Sequence, residues 1–200
     1  MDSRRGTIPQ GDWIHWEMFL LSVFKSAVAN TTLFIAFAQI GRMDILKSLV
    51  DVVNIPREVY EELITRETKY AVDEAIEDGW IKMHNLSSTE FQKAKEYAAA
   101  IELENPEKHL GEAAAIVLYQ RMKADTLIID ELKPRQIARS LGIRQLTGTV
   151  GLFLTALEKE MLTSSQIESY LDILISKGTK ISKELRDKIL LEARKKEKYQ

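Results

Sequence analysis

The sequence predicts a three-layer α/β domain, a mostly parallel sheet of four to five strands with helices on both faces. Two observations carry this. Short apolar, partly β-branched runs recur along the chain, and each is followed by a stretch with helical periodicity. The run Thr126-Leu127-Ile128-Ile129 has no charged residue to turn to water, which suits a strand covered on both faces. The length agrees, since 200 residues make one domain with room for a real core.

In order, the first strand is expected over 22–29 (SVFKSAVA), ending at Asn30-Thr31-Thr32, which can cap a helix LFIAFAQI closed by Gly41. Residues 42–49 read as a short helix with Met43, Leu46 and Leu49 inward, and 52–55 as the second strand. Pro56 opens a helix predicted to run REVYEELITRE. A short helix over 71–78 stops at Gly79, and 80–83 form a third strand. Ser87 and Glu90 have capping-box spacing for a helix to about Leu103, which Asn105-Pro106 breaks. Residues 112–123 are strong helix formers with Gly111 just ahead. The strand that follows stops at Asp130-Glu131, and Pro134 falls in the first turn of the next helix. Residues 144–146 are a brief last strand, and Thr147-Gly148-Thr149 turns into the helix VGLFLTALEKE. Ser165-x-x-Glu168 is expected to cap a helix that Gly178 ends, and 181–198 form a charged final helix.

Composition narrows the chemistry. A net charge of −2 gives no basic surplus, so any RNA contact must come from a local patch. The absence of cysteine removes disulfides, zinc-thiolate sites and thiol nucleophiles. His15, His84 and His109 are scattered without ligand spacing, so a zinc or redox enzyme is not expected. No apolar run reaches the roughly 18–20 residues of a membrane span. Arg4-Arg5, the apolar 18–24 and Ala27-Val28-Ala29 loosely resemble a signal peptide. Asp12, Glu17 and Lys25 interrupt that pattern, and cleavage would remove the first strand. The reading is therefore a cytoplasmic protein with an extension over 1–22, Met18 being an alternative start, and a single domain over 23–195.

Four oxygen donors occupy telling places. Asn30 and Asp130 follow core strands, where open α/β sheets bind ligands. At about 100° per residue Glu112 shares the core-facing stripe of its helix with Ala115, Ile116 and Tyr119. Glu62 lies about 60° from the buried Val59, whereas Glu61 points roughly 160° away, so Glu62 borders the core and Glu61 faces water. Each has an ordinary reading too: a helix N-cap for Asn30, a solvated helix edge for Glu62. Together, hard oxygen donors suit Mg²⁺ or Mn²⁺, which can activate water for phosphodiester cleavage. Arg135 and Arg139, at i, i+4 beyond Asp130, and Lys133 before them can meet phosphates or simply form an exposed basic face. Phe34, Phe37, Tyr119 and Phe153 fall at core spacing and read as packing.

The segments VANTTLFIAFAQIGRMDILKSL, VNIPREVYEELI, GWIKM, LGEAAAIVLYQRMKADTLIIDELKPRQIARSLGI, LTGTVGLFLTALEKEML and ISKELRDKIL, in this order and spacing, resemble the PIN-domain family over about 23–192, and more narrowly its VapC-related branch. The resemblance implies a Rossmann-like sheet, a metal-dependent ribonuclease site of three or four acids, an antitoxin partner and a homodimer. Its acidic places fall on Asn30, Glu62, Glu112 and Asp130, with Glu131 auxiliary. Thr31 falls near the first acid, and Thr147 and Thr149 near the same pocket. The departure is Asn30, where the family usually has Asp. Losing a unit charge about 4 Å from another forgoes about 4 kcal/mol at an effective dielectric near 20, before desolvation. Two readings follow: a Mg²⁺- or Mn²⁺-dependent endoribonuclease, the toxin of a toxin–antitoxin pair, or a catalytically impaired PIN module that binds RNA or protein. Asn30 favours the second. The other three acids favour the first, because core-facing carboxylates without a cation repel one another.

Overall fold

A computed structural model describes residues 22–198; the expected extension falls almost wholly outside them. The strands are β1 (Phe24–Ala29), β2 (Val50–Pro56), β3 (Ile81–His84), β4 (Thr126–Ile128) and β5 (Leu146–Thr147). All pair in parallel in the order β3-β2-β1-β4-β5. Ten α-helices are described: α1 (Thr31–Gln39), α2 (Met43–Leu49), α3 (Arg57–Glu61), α4 (Arg66–Glu77), α5 (Ser88–Ile101), α6 (Leu110–Met122), α7 (Leu132–Ser140), α8 (Thr149–Glu158), α9 (Ser164–Ser176) and α10 (Lys183–Lys198). A 3₁₀ turn, Pro106–His109, leads into α6. Among these helices none is long and apolar enough to cross a membrane.

The strand residues alternate between two cores, which makes three layers. Ala27, Ala29, Val53, Ile55 and Ile128 pack on one face against α1, α2, α4 and the C-terminal helices α8–α10. Val28, Leu127 and Ile129 pack on the other against α6 and α7, and α5 covers the outer side of α6. The sheet is thus buried on both faces, as its apolar strands require. Phe34, Phe37 and Phe153 are fully buried, Phe37 and Phe153 with ring centroids 5.4 Å apart. Asn54 in β2 is a buried polar residue of the sheet, satisfied by Ser26, the carbonyl of Ala27 and the His84 ring.

Two local expectations fail through a threonine. The helix predicted as REVYEELITRE stops at Glu61, and a new one starts at Arg66. Ile64 and Thr65 are β-branched, and the Thr65 hydroxyl takes the Thr68 amide as an N-cap, so the chain leaves one helix and begins another. Similarly the cap of α9 lies two residues before the expected Ser165, because Thr163 and Gln166 form the capping box instead. The last strand is Leu146–Thr147, not 144–146, and α10 begins at Lys183. In α2, Ile45 is buried along with Leu46 and Leu49, while Met43 is only partly so.

Strand order reverses direction between β1 and β4. The chain leaves β1 into α1 on one face and leaves β4 into α7 on the other, which opens a crevice at their carboxyl ends. Asn30 and Asp130 stand at its two lips.

Candidate functional site

Asn30 directly follows β1 and is wholly buried, its amide donating to the Ile128 carbonyl at 3.2 Å. It occupies the N-cap position of α1, yet its side chain makes no capping bond. Its Nδ2 instead lies 3.5 Å from Glu112 Oε1, in the first turn of α6. Glu112 is 5 % exposed, as its place on the apolar stripe implied. Glu62 closes α3 as its C-cap, half-buried, while Glu61 is exposed. Its carboxylate is fixed from two sides, accepting from the Thr31 hydroxyl at 2.5 Å and from the Gly111 amide at 2.9 Å. Gly111 leaves room for this placing of the carboxylate, since a Cβ on it would sit 2.4 Å from Glu62 Oε1.

The same neighbourhood contains an imidazole that sequence spacing failed to flag. His109 ends the 3₁₀ turn and is 3 % exposed. Its Nε2 lies 3.3 Å from Glu102 Oε2, and the other Glu102 oxygen accepts from Lys133 Nζ at 2.9 Å. Its Nδ1 points inward, 3.9 Å from Glu112 Oε2 and 3.7 Å from Glu131 Oε2. One ligand atom from each of His109, Glu112 and Glu131 falls within 4.8 Å of the others. The reading of the histidines as lacking ligand spacing is therefore corrected for His109. The available signal was the i, i+3 interval to Glu112, spanning the junction of the turn and α6. His84 is taken up by Asn54, and His15 lies outside the described residues.

Electrostatically this pocket is under-compensated. Burial, and then the neighbouring charges of Glu131 and Glu62, push the Glu112 carboxyl up to about 7. Burial also raises Glu62, against the opposing hydrogen bonds from Thr31 and Gly111. Asn30 Oδ1, His109 Nδ1 and Glu112 Oε2 are buried acceptor-capable atoms without a hydrogen-bond partner among the described residues. Unpaired buried acceptors are costly unless a proton or cation meets them. Three such atoms on neighbouring residues, with the carboxylates of Glu62 and Glu131 beside them, fit a divalent cation with nitrogen and oxygen ligands.

Asp130 is engaged differently. Both its oxygens accept from Thr149, Oδ1 from the amide at 2.8 Å and Oδ2 from the hydroxyl at 2.7 Å, so the carboxylate caps the start of α8. Gly148 gives it room, as a Cβ there would come within 2.6 Å of Asp130 Oδ1. Two hydrogen-bonded sets, Asn30–Glu112 and Thr31–Glu62–Gly111, are thus brought together by adjacent residues of the chain, whereas the bonds of Asp130 run to the α8 side of the crevice. Arg135 is half-buried and donates to the Ile129 and Thr147 carbonyls at 2.7 and 3.0 Å, tying β4 to β5. Arg139 is exposed one turn further along α7, and Lys133 is exposed and paired with Glu102. Asp130, Arg135, Thr147 and Thr149 line a cleft of about 550 Å³ whose remaining walls are largely apolar, among them Ile35, Leu174 and Ile181.

A family model described as PIN domain matches residues 26–195, most of the chain. No curated protein and no solved structure matches it.

Proposed function

The chain belongs to the PIN-domain family, and from that premise we propose that it is a divalent-metal-dependent endoribonuclease of the VapC type, the toxin of a toxin–antitoxin pair. The observation that carries this reading is that buried Asn30 and Glu112 and half-buried Glu62 come together beside the crevice where strand order reverses, with Asn30 Oδ1 and Glu112 Oε2 buried and unpaired among the described residues. Glu62, Glu112 and Asp130, with the Asn30 carbonyl oxygen, would hold Mg²⁺ or Mn²⁺. Such a cation supplies charge neutralisation and a more acidic water for in-line attack on a phosphodiester.

The chain's own residues prepare the site. Thr31 and Gly111 aim the Glu62 carboxylate, and Thr149 fixes that of Asp130. Glu112 stays protonated to about neutral pH without a cation, so loading the site at pH 6 releases its proton. Arg139 and the accessible part of Arg135 flank the crevice on the side of Asp130 and suit the phosphates of a single RNA strand. Thr31 acts here as a positioning group on the Glu62 side, and Thr147 and Thr149 on the Asp130 side. An antitoxin protein and a homodimer belong to this reading through the family alone, as does action in the cytoplasm.

Asn30 favours a second reading, a PIN module impaired in catalysis and retained for RNA or protein binding. Cleavage of RNA by the purified chain with Mn²⁺ and Mg²⁺, against a chelator and an Asp130→Ala control, separates the two. Cation-dependent cleavage lost in the control is the expected result. Silence in the parent with activity restored by Asn30→Asp would instead identify a disabled site.

A further inference from the structure

We infer that His109 is a metal ligand, its Nδ1 completing with Glu112 and Glu131 a mixed nitrogen–oxygen site that favours Mn²⁺ and Co²⁺ over Mg²⁺. The inference rests on the reading that this crevice holds a divalent cation, but not on what the loaded protein does to RNA.

Tautomer is the first step. A carboxylate can only accept from the imidazole, so Glu102 at 3.3 Å from Nε2 places the ring proton there. Lys133 holds that carboxylate in turn. Nδ1 is then a lone pair in the pocket, and a carboxylate outside a histidine that faces a carboxylate pair inside is the arrangement by which proteins orient a ligating ring. Burial is the second. His109 is 3 % exposed and Glu112 5 % exposed, and both Nδ1 and Glu112 Oε2 lack a hydrogen-bond partner among the described residues. Their 3.9 Å separation, and the 3.7 Å from Nδ1 to Glu131, are too long for hydrogen bonds. Two ligands each about 2.1 Å from one cation span distances of this size. Asn30 Oδ1, the third unpaired buried acceptor, lies on the residue whose amide meets the other Glu112 oxygen. Selectivity is the third step. Mg²⁺ prefers oxygen and keeps its waters, whereas imidazole raises affinity along the first-row series from Mn²⁺ towards Co²⁺.

The test uses the full chain stripped with a chelator and titrated separately with Mg²⁺, Mn²⁺ and Co²⁺ by calorimetry, with the visible spectrum of the Co²⁺ form. The parent is expected to bind Mn²⁺ and Co²⁺ at least about tenfold more tightly than Mg²⁺. His109→Asn is expected to lose about 10- to 100-fold in Mn²⁺ and Co²⁺ affinity with Mg²⁺ changed little, and to alter the Co²⁺ spectrum. Circular dichroism checks that the variant folds; should it not, the nitrogen NMR shift of His109 in the parent, read with and without diamagnetic Zn²⁺, reports ligation directly. A parent that prefers Mg²⁺, an Asn variant with parental Mn²⁺ and Co²⁺ affinity, or an unshifted His109 nitrogen would overturn the inference. No RNA enters these measurements. A chain that binds Mn²⁺ through His109 but leaves RNA intact therefore overturns the nuclease reading alone, and an active nuclease indifferent to His109 overturns this one alone.

Discussion

At the scale of single residues, Glu112 connects the pocket to pH. Its carboxyl rises from 4.5 to about 7 on folding because burial penalises the charge, so the folded state keeps a proton that the unfolded chain has given up. The contribution is therefore full below about pH 4.5 and lost as pH rises through about 7. In metal-free protein, melts between pH 5 and 8 should show stability falling with pH, and Glu112→Gln should flatten that slope and melt higher at pH 8. The gain is at most about 3 kcal/mol; a variant that melts lower at pH 8 would contradict the account. Millimolar Mn²⁺ should raise the melting temperature of the parent at pH 8 and do so less in the variant. The residues of this pocket were legible from the chain to the extent that helical phase reveals them. Phase alone separated Glu62 from Glu61 and put Glu112 inward. His109 escaped because a 3₁₀ turn, which has no such phase relation to α6, carries it in. The unpaired state of Asn30 Oδ1 escaped because it depends on where Glu112 ends up, 82 residues away in sequence.

At the scale of elements, the helix starts do the positioning. Gly111 lets the first turn of α6 approach Glu62 closely enough to donate its amide, and Gly148 does the same for the first turn of α8 and Asp130. Gly111→Ala should keep the fold and displace the Glu62 carboxylate at small cost in stability, because the added Cβ meets only the end of that flexible side chain. Its signature is weakened Mn²⁺ binding in calorimetry beyond what the melting temperature explains. Capping offers a control remote from the site: Thr163→Ala should remove about 1 kcal/mol from unfolding in urea and leave metal binding unchanged. Most elements were visible as runs of strand or helix character between Gly, Pro and Asn. The break between α3 and α4 was not, because Ile64 and Thr65 continue a plausible helix pattern and only the competing Thr65–Thr68 bond ends it. That break matters, since it makes Glu62 a helix terminus rather than a mid-helix flank.

At the scale of the molecule, the alternation of strands and helices announced the layered architecture. Strand order was out of reach, because β1 pairs with β2 and with β4 through registers that no local pattern encodes. Phe153 marks how the C-terminal helices belong to the same core, packed between Phe37 and Tyr170 with centroids at 5.4 and 6.0 Å. Phe153→Ala should cost about 3–5 kcal/mol and lower one cooperative transition, seen by calorimetric scanning, rather than split it into two. The central position of β1 has a consequence for biosynthesis. Just before its partner across the reversal point stands Asp125, whose carboxylate accepts from the Lys25 amide across an interval of 100 residues. At about 5–20 residues per second, a ribosome needs roughly 5–20 s to deliver that partner after β1 emerges. During that interval one edge of an entirely apolar strand end, Ala27-Val28-Ala29, has no neighbour of its own chain to pair with. The nascent polypeptide therefore passes through a stage in which its most central strand is its most adhesive one, and translation speed from α1 through α6 sets how long that stage lasts.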